Sequence, residues 1–413
     1  MRKRTPERVA ESTVTWETLE EFGKVKIQEW LQRLLEEEVT ELLGRVRHER
    51  RGAVDASVGY RNGYGKPRRL SMKSGTIVVR RPRMRNLEEK FVSRLLPLFV
   101  RRTAEVGELL PQLYLHGLSQ GDFELALRGL LGDGAPLSSS SIARLRSVWD
   151  LEYQEWSTRS LADRELVYVW ADGVYVKAGL EKEKAALLVV IGALRDGTKE
   201  VLAVVPGYRE SKDSWACVFR DLRERGLGAP RLLTADGNAG VRSALAEVWP
   251  ETKDQGCWNH KIVNVLDQLP KKLQTQARDL LREIPYAPTR DEAERRRDGF
   301  ARRYRGGYPK AVSILEKNWE RMVSFYDFPE EHWKHLRTTN VVESPFAAVR
   351  LRTAAAKRFK KVESATALIW KVLLVAESRF RKLNAPELMQ LVYEGVEFVD
   401  GHAVTKESRR RVA

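Results

Sequence analysis

From Thr15 to Leu43 apolar residues recur at helical spacing: Leu19, Phe22, Val25, Ile27, Trp30, Leu31, Leu34, Leu35, Val39, Leu42 and Leu43. The pattern predicts one long amphipathic helix, or two, with Thr15 placed to cap its start and Gly44 to stop it. The passage GYRNGYGKPRRLSMKSGTIVVRRPRMRN then predicts a small basic β-element, with Asn62-Gly63 marking a turn and Gly75 separating two short strand-like runs. Three helical patterns follow in quick succession: Ala104 to His116, Gln120 to Leu131, and Ser138 to about Trp156, joined by short loops carrying Gly117, Gly132 and Gly134. Around Val167 the texture changes. VYVWADGVYVK, AALLVVIGALRDGTKEVLAVV and RLLTADG read as strands, the middle one a hairpin turning at Asp196-Gly197, and helices over Asp213 to Arg225 and Asn238 to Trp249 alternate with the later strands. A hairpin first and α/β afterwards describes a ribonuclease H-like layer. From Lys261 to about Phe328 the pattern reverts to helix, simplest to read as an all-helical block inserted into the α/β domain. Leu336 to Lys361 returns to the core, and a helix over Glu363 to Lys382 buries Leu368, Ile369, Val372, Leu373 and Val375 before a polar tail.

The fold class is therefore mixed α/β, and six segments follow from it: a helical and basic β segment over 1–102, a helix-turn-helix-like DNA-binding unit over 103–160, and the first part of the ribonuclease H-like core over 161–260. The helical insertion covers 261–330, the end of the core 331–385 and the tail 386–413.

Composition sharpens the picture. A chain of 413 residues with 42% hydrophobic content is long enough for two or three folded domains. Lysine and arginine number 73 against 57 acids, a net charge of +16 that points to a polyanionic partner, nucleic acid before membrane. The excess is local: residues 66–102 carry 12 basic and 2 acidic side chains, and residues 337–382 carry 11 and 3. With only Cys217 and Cys257 a disulfide framework is excluded, and a reducing cytoplasm, with nucleoid association when DNA is bound, is the expected home. MRKRTPERVAEST has no apolar signal core and no run of about 18 apolar residues occurs, so neither secretion nor a membrane span is expected.

The third helical pattern opens with Ser138 to Ser141 as N-caps and offers Arg144 and Arg146 in its early turns, as a recognition helix would, although three packed helices also suit a domain that reads nothing. Tyr60 and Tyr64 among arginines suit stacking on DNA or plain packing. Asp172 in VWADG and Asp236 in LLTADG each end an apolar run where a strand meets a turn, exposing a carboxylate on a held backbone; Asp-Gly is also ordinary turn punctuation. Glu343 is the lone acid among Arg337, Arg350, Arg352, Lys357, Arg358, Lys360 and Lys361, and on one helix it would share a face with Ala347 and Arg350. Asp172, Asp236 and Glu343 together form the sparse set of hard oxygen ligands that can hold two Mg2+ ions for phosphoryl transfer, with Mn2+ as the alternative. A serine-hydrolase reading finds no G-x-S-x-G and a metalloprotease reading no H-E-x-x-H.

From about Tyr60 onward the chain resembles the mutator-type DDE transposases of bacterial insertion sequences. YRNGY, the strand with Asp172, RESKDSW, the strand with Asp236, CWNHKIVNVLDQLPK and YDFPEEHWKHLRTTN leading to Glu343 and VRLRT carry the likeness. The resemblance implies a ribonuclease H-like core, a helical insertion before the glutamate, metal-dependent strand cleavage and transfer, and binding to terminal inverted repeats and target DNA by at least a dimer. It implies that Asp172, Asp236 and Glu343 are the catalytic, metal-binding triad and Arg350 the basic residue after the glutamate; Arg352, Lys357, Arg358, Lys360 and Lys361 would track flanking backbone. Where the family often has a proline before the glutamate, Val341-Val342 stand here and Pro345 follows, which puts Glu343 at a helix start. Cys257-x2-His260 also matches a family signature. It reads as half of a zinc site completed by His332 and His335, or as a small buried cysteine beside a hydrogen-bonding or DNA-facing histidine. Trp215, Trp258 and Trp333 read as base wedges or as core. A regulator derived from a transposase, catalytically inactive and binding DNA only, is the alternative function.

Overall fold

The computed structural model describes residues 14–49, 59–118, 122–131, 139–178, 184–207, 210–356 and 358–404. The chain forms two units, Met1–Arg144 and Leu145–Ala413.

In the first unit, α1 (Leu19–Leu43) is a single helix, and Gly44 ends it in the left-handed conformation (φ +63°) that the stop signal implied. Four short strands follow: β1 (Tyr60–Tyr64), β2 (Arg68–Met72), β3 (Gly75–Val79) and β4 (Pro82–Arg85), with β1 antiparallel to β4 and β2 to β3. Leu35 of α1 packs with Leu70, Ile77, Val79 and Leu96 into a small core. Gln28 and Gln32, one turn apart on α1, accept hydrogen bonds from the Val78 and Arg80 amides at 2.8 and 2.9 Å, so side-chain amides satisfy the outer edge of β3. Asn62-Gly63 is not a turn. It lies inside β1, where the register shifts between Arg61 and Tyr64 and Gly63 supplies φ +64°. Tyr64 packs under Arg47, whose guanidinium also donates to its hydroxyl at 3.2 Å, whereas Tyr60 is exposed. The helical patterns appear as α2 (Ala104–Leu115), α3 (Asp122–Leu131) and α4 (Ser139–Ser157), the last lying mostly in the second unit. Ser138, Gly132 and Gly134 lie outside the described residues.

The second unit is built on β5 (Leu166–Val176), β6 (Ala185–Leu194), β7 (Lys199–Gly207), α5 (Lys212–Glu224), β8 (Leu232–Ala235), α6 (Ala239–Val248) and β9 (Lys253–Gly256). The sheet order is β7-β6-β5-β8-β9, with β5 antiparallel to β6, β6 antiparallel to β7, and β8 and β9 parallel to β5. Strands β6 and β7 turn at Asp196-Gly197, where Gly197 takes φ +81°. On one face Val169, Ala171, Leu188, Val190 and Leu233 pack against Trp215, Phe219, Ala244 and Leu245 of the two helices. On the other face Tyr168 and Trp170, alternate residues of β5, bond to His332 (2.9 Å) and to the His335 carbonyl (2.9 Å).

After β9 the chain is helical through Glu343: α7 (Trp258–Leu266), α8 (Lys271–Glu283), α9 (Arg290–Tyr304), α10 (Pro309–Glu316), α11 (Trp319–Val323), α12 (Trp333–Leu336) and α13 (Asn340–Glu343). Then come α14 (Phe346–Ala356), α15 (Val362–Glu377), α16 (Met389–Glu394) and the small ladder β10 (Phe398–Val399) with β11 (His402–Ala403). Helix α15 packs on β7 and buries Leu368, Ile369, Val372 and Leu373, while Val375 is half-buried. The segment read as a polar tail is folded up to residue 404, with Met389, Val392 and Phe398 buried.

Candidate active site

Asp172, Asp236 and Glu343 are distant in sequence, yet Asp172 feels the charges of the other two. Strand alternation puts Asp172 on the same face as Tyr168 and Trp170, opposite the helix-packed core. Asp172 does not end its strand: β5 continues four residues beyond it, to Val176. The Gly173 amide donates to Asp172 Oδ1 at 2.8 Å. Asp236 follows β8 directly, as the sequence implied, and its Oδ1 accepts the Asn238 amide at 2.7 Å. Glu343 arrives on α13, where Thr339 Oγ1 donates to Oε1. Each carboxylate thus has one oxygen held by a local donor and, among the described residues, no hydrogen bond to the other. The free oxygens are what hard cations take.

The electrostatics agree with the geometry. Burial above all, and then the negative charges of Glu343, Glu210 and Asp236, push the Asp172 carboxyl from an ordinary 3.8 up to about 7, against the pull of the Gly173 amide. Positive charge brought to this half-buried corner would favour the ionised form of Asp172.

Glu210 is a fourth acid that no single residue-level signal brought out, although it sits in the RESKDSW run. It approaches from the far side of β5, where a Cβ on Gly173 would lie 2.2 Å from Glu210 Oε1. Gly173 is therefore not turn punctuation; it leaves the space that Glu210 fills. Asn238 links this acid to Asp236. Its side-chain amide donates to the Glu210 carbonyl (2.9 Å) and Oε2 (3.2 Å), while its own backbone N–H holds Asp236. Its Oδ1 also caps α6 by accepting from Gly240, where a Cβ would meet the Glu210 carbonyl at 2.6 Å. A hydrogen bond to Glu210, after burial, raises Tyr175 to about 12.

Cys257, His260 and Glu343 form a compact group, with ligating atoms all within 4.8 Å of one another. Cys257 is buried at the N-terminus of α7, 3.1 Å from Thr339 Oγ1 and 3.4 Å from the Thr339 amide. Thr339 Oγ1 thus stands between Cys257 Sγ and Glu343 Oε1, its single proton available to one of them at a time. His260 Nδ1 lies 3.8 Å from Glu343 Oε1. The interaction with Cys257 does most to push this imidazole up to about 9, helped by the charges of Glu343 and Asp172 and opposed by burial. The four-ligand zinc reading is not assembled. His332 is fully buried, bonded to Tyr168 and to the Ala385 carbonyl (3.2 Å), and His335 Nε2 accepts from Asn384.

The basic residues divide. Arg350 is exposed on α14, and Arg358, Lys360 and Lys361 are exposed just beyond it, whereas Lys357 lies outside the described residues. Arg352 is 2% exposed, so it does not track DNA in this conformation; it shares the inward stripe of α14 with Phe346 and Val349. The shared-face argument for Glu343 and Arg350 also fails, because Ser344-Pro345 separates α13 from α14. Glu343 closes a one-turn helix, and Pro345 stands just before the next one, where its missing N–H costs nothing. Arg144 is exposed and Arg146 half-buried on α4. Trp215, Trp258 and Trp333 are core residues; the indoles of Trp258 and Trp333 donate to the carbonyls of Met322 and Phe328 at 2.8 Å each.

The chain is 43% identical over 301 residues to the transposase for insertion sequence element IS6120 of Mycolicibacterium smegmatis, covering 73% of this chain and 93% of that one. It is 44% identical over 278 residues, 67% of this chain and 94% of the relative, to the transposase for insertion sequence element IST2 of Acidithiobacillus ferrooxidans. Among solved structures, the Drosophila P element transposase strand transfer complex overlaps 71% of this chain and 84% of its own at a TM-score of 0.29 and 11% identity, too loosely to carry weight. The profile of the family described as Transposase, Mutator family, matches residues 5–382, and the chain belongs to that family of transposases.

Proposed function

We propose that this transposase cuts DNA at the ends of an insertion sequence and joins the freed 3′-hydroxyl to target DNA, with Asp172, Asp236 and Glu343 holding two divalent ions, Mg2+ or Mn2+. The observation that carries this is that half-buried Asp172 feels the charges of Asp236 and Glu343, each of the three carboxylates having one oxygen pinned by a local donor. An all-oxygen donor set of this kind fits Mg2+. Two such ions, when bound, supply the charge that favours the attacking hydroxyl and the leaving oxygen. The protein's part is positional. Strand β5 fixes Asp172, Asn238 ties Asp236 to the Glu210 loop, and Thr339 orients Glu343. Exposed Arg350 is placed just after the Glu343 turn to meet a phosphate. The sheet order, an antiparallel trio followed by two parallel strands, supports a ribonuclease H-like core with α7 to α11 as its insertion. Terminal inverted repeats are the expected DNA, and pairing two ends requires at least a dimer.

The test is cleavage and strand transfer on oligonucleotide ends in Mg2+, comparing the natural protein with Asp172→Ala, Asp236→Asn and Glu343→Ala. Each variant should bind DNA and lose cleavage. Robust cleavage by any one of them refutes the assignment, and a regulator that only binds DNA would show no activity to lose.

A further inference from the structure

Behind the α13 turn lies a cavity of about 840 Å³, between α7, α8 and the segment from Lys334 to Ser344. Its size falls within the range of about 300–1,000 Å³ in which proteins enclose small ligands. Asn340, Val341 and Ser344 form the wall nearest the candidate active site, since Glu343 stands on the same turn.

Two features of the lining point to one occupant. The first is charge. Arg278, Arg282, Lys334 and Arg337 line the cavity and no aspartate or glutamate does. Among the described residues Arg278, Arg282 and Lys334 make no ion pair, although Arg290, Arg295, Arg296 and Arg297 of the same helical block are all paired with acids. The second is exposed apolar surface. Val263 is 53% exposed and Tyr286 72%, beside Ile262 and Leu266. Arg337 is fixed against the Tyr286 ring at 4.3 Å, held by the carbonyls of Trp333 (3.0 Å) and Pro285 (2.5 Å). An occupant must bring both a flat apolar face and negative charge, and a nucleotide does so.

We propose that this cavity receives an unstacked base of the DNA strand next to the phosphate held at Glu343, with Tyr286 as stacking platform and Arg278, Arg282 and Lys334 on the adjoining backbone. The proposal rests on the function argued above. A base drawn into the cavity would pull the neighbouring phosphates toward the carboxylates and keep the duplex from closing over the cut.

The probe is end DNA carrying 5-iodouracil at one position at a time, irradiated in complex with the full-length Asp236→Asn protein, with the crosslinked residue read by mass spectrometry. Crosslinks to Tyr286 are expected from one or two positions beside the cut. Tyr286→Ala should remove them and weaken end binding by about 5- to 150-fold, the span of one base–aromatic stack, whereas Tyr286→Phe should keep both. Because Tyr286 is exposed, its removal leaves the core intact. A natural protein that cuts the end while no position crosslinks to Tyr286, or while every position does so equally, overturns the cavity assignment and leaves the cleavage chemistry standing. Position-specific crosslinking by a protein that never cuts supports the cavity and overturns the chemistry.

Discussion

Asp172→Asn should stabilise the metal-free protein at pH 8. The folded state raises the Asp172 carboxyl from 3.8 to about 7, so it binds a proton more tightly than the unfolded chain does. For this group, rising pH between those two values removes stability, and above about 7 the whole penalty is present. The difference of about three units corresponds to roughly 4 kcal/mol at 1.36 kcal/mol per unit, a ceiling because relaxation and water screen the charge. Asparagine removes the charge and keeps an oxygen for the Gly173 amide. With each kcal/mol worth about 2–4 °C in a domain of about 150–250 residues, and toward the lower figure in a unit as long as Leu145–Ala413, the variant should melt several degrees higher at pH 8, up to about 10 °C. The gain should vanish near pH 4, where both proteins carry a neutral group. Mg2+ should close the gap from the other side, raising the melting temperature of the natural protein and not that of Asp172→Asn. Thermal denaturation from pH 4 to 8, with and without Mg2+, measures all of this. Equal melting temperatures at pH 8 without metal would refute the reasoning.

Gly173→Ala should destabilise the second unit by about 1–3 kcal/mol, because its Cβ overlaps Glu210. Glu210→Ala in the same chain should restore most of that loss, and strictly additive effects in the double-mutant cycle would show that the two residues do not meet. Arg350→Ala should slow single-turnover cleavage at saturating DNA by about 100-fold while changing affinity far less; normal cleavage would make Arg350 an ordinary backbone contact. Arg352→Ala should lower stability by about 2–5 kcal/mol through lost packing, whereas Lys360→Ala leaves stability alone and weakens DNA binding, as denaturation and salt-dependent binding curves would show.

Much of the fold is written in apolar patterning. The runs around Val169, Val190, Val204 and Leu233 are unbroken because the strands are buried on both faces, and they name β5 to β8 without ambiguity. Strand β9, KDQG, carries no such signal. Its buried Gln255 is satisfied by Gly256, Met322 and Phe325, partners that become visible only when the helical block is folded back. Charge misleads on α14, where Arg352 is buried and its neighbour Leu351 is 59% exposed. Position on the helix decides burial there, and residue type does not. Asp-Gly at 172–173 misleads in another way: a dipeptide that usually marks a turn here marks a place where something must fit. Glu210 stays hidden because its importance comes from Gly173 and Asn238, one in a different strand and the other at a helix start.

The ladder between β5 and β6 behaves like the index pin of a drafting instrument. Its register sets Asp172 opposite Val189 and Trp170 opposite Ile191. Side chains alternate across the sheet, so a slip of one residue along β5 would turn Asp172 into the layer of Trp215 and Phe219 and bring Ala171 to the site. Drift along that strand is therefore quantised. Changes that preserve parity can be absorbed, while a single residue inserted early in β5 would exchange the carboxylate proposed to hold metal for a methyl group with no alteration near the other acids.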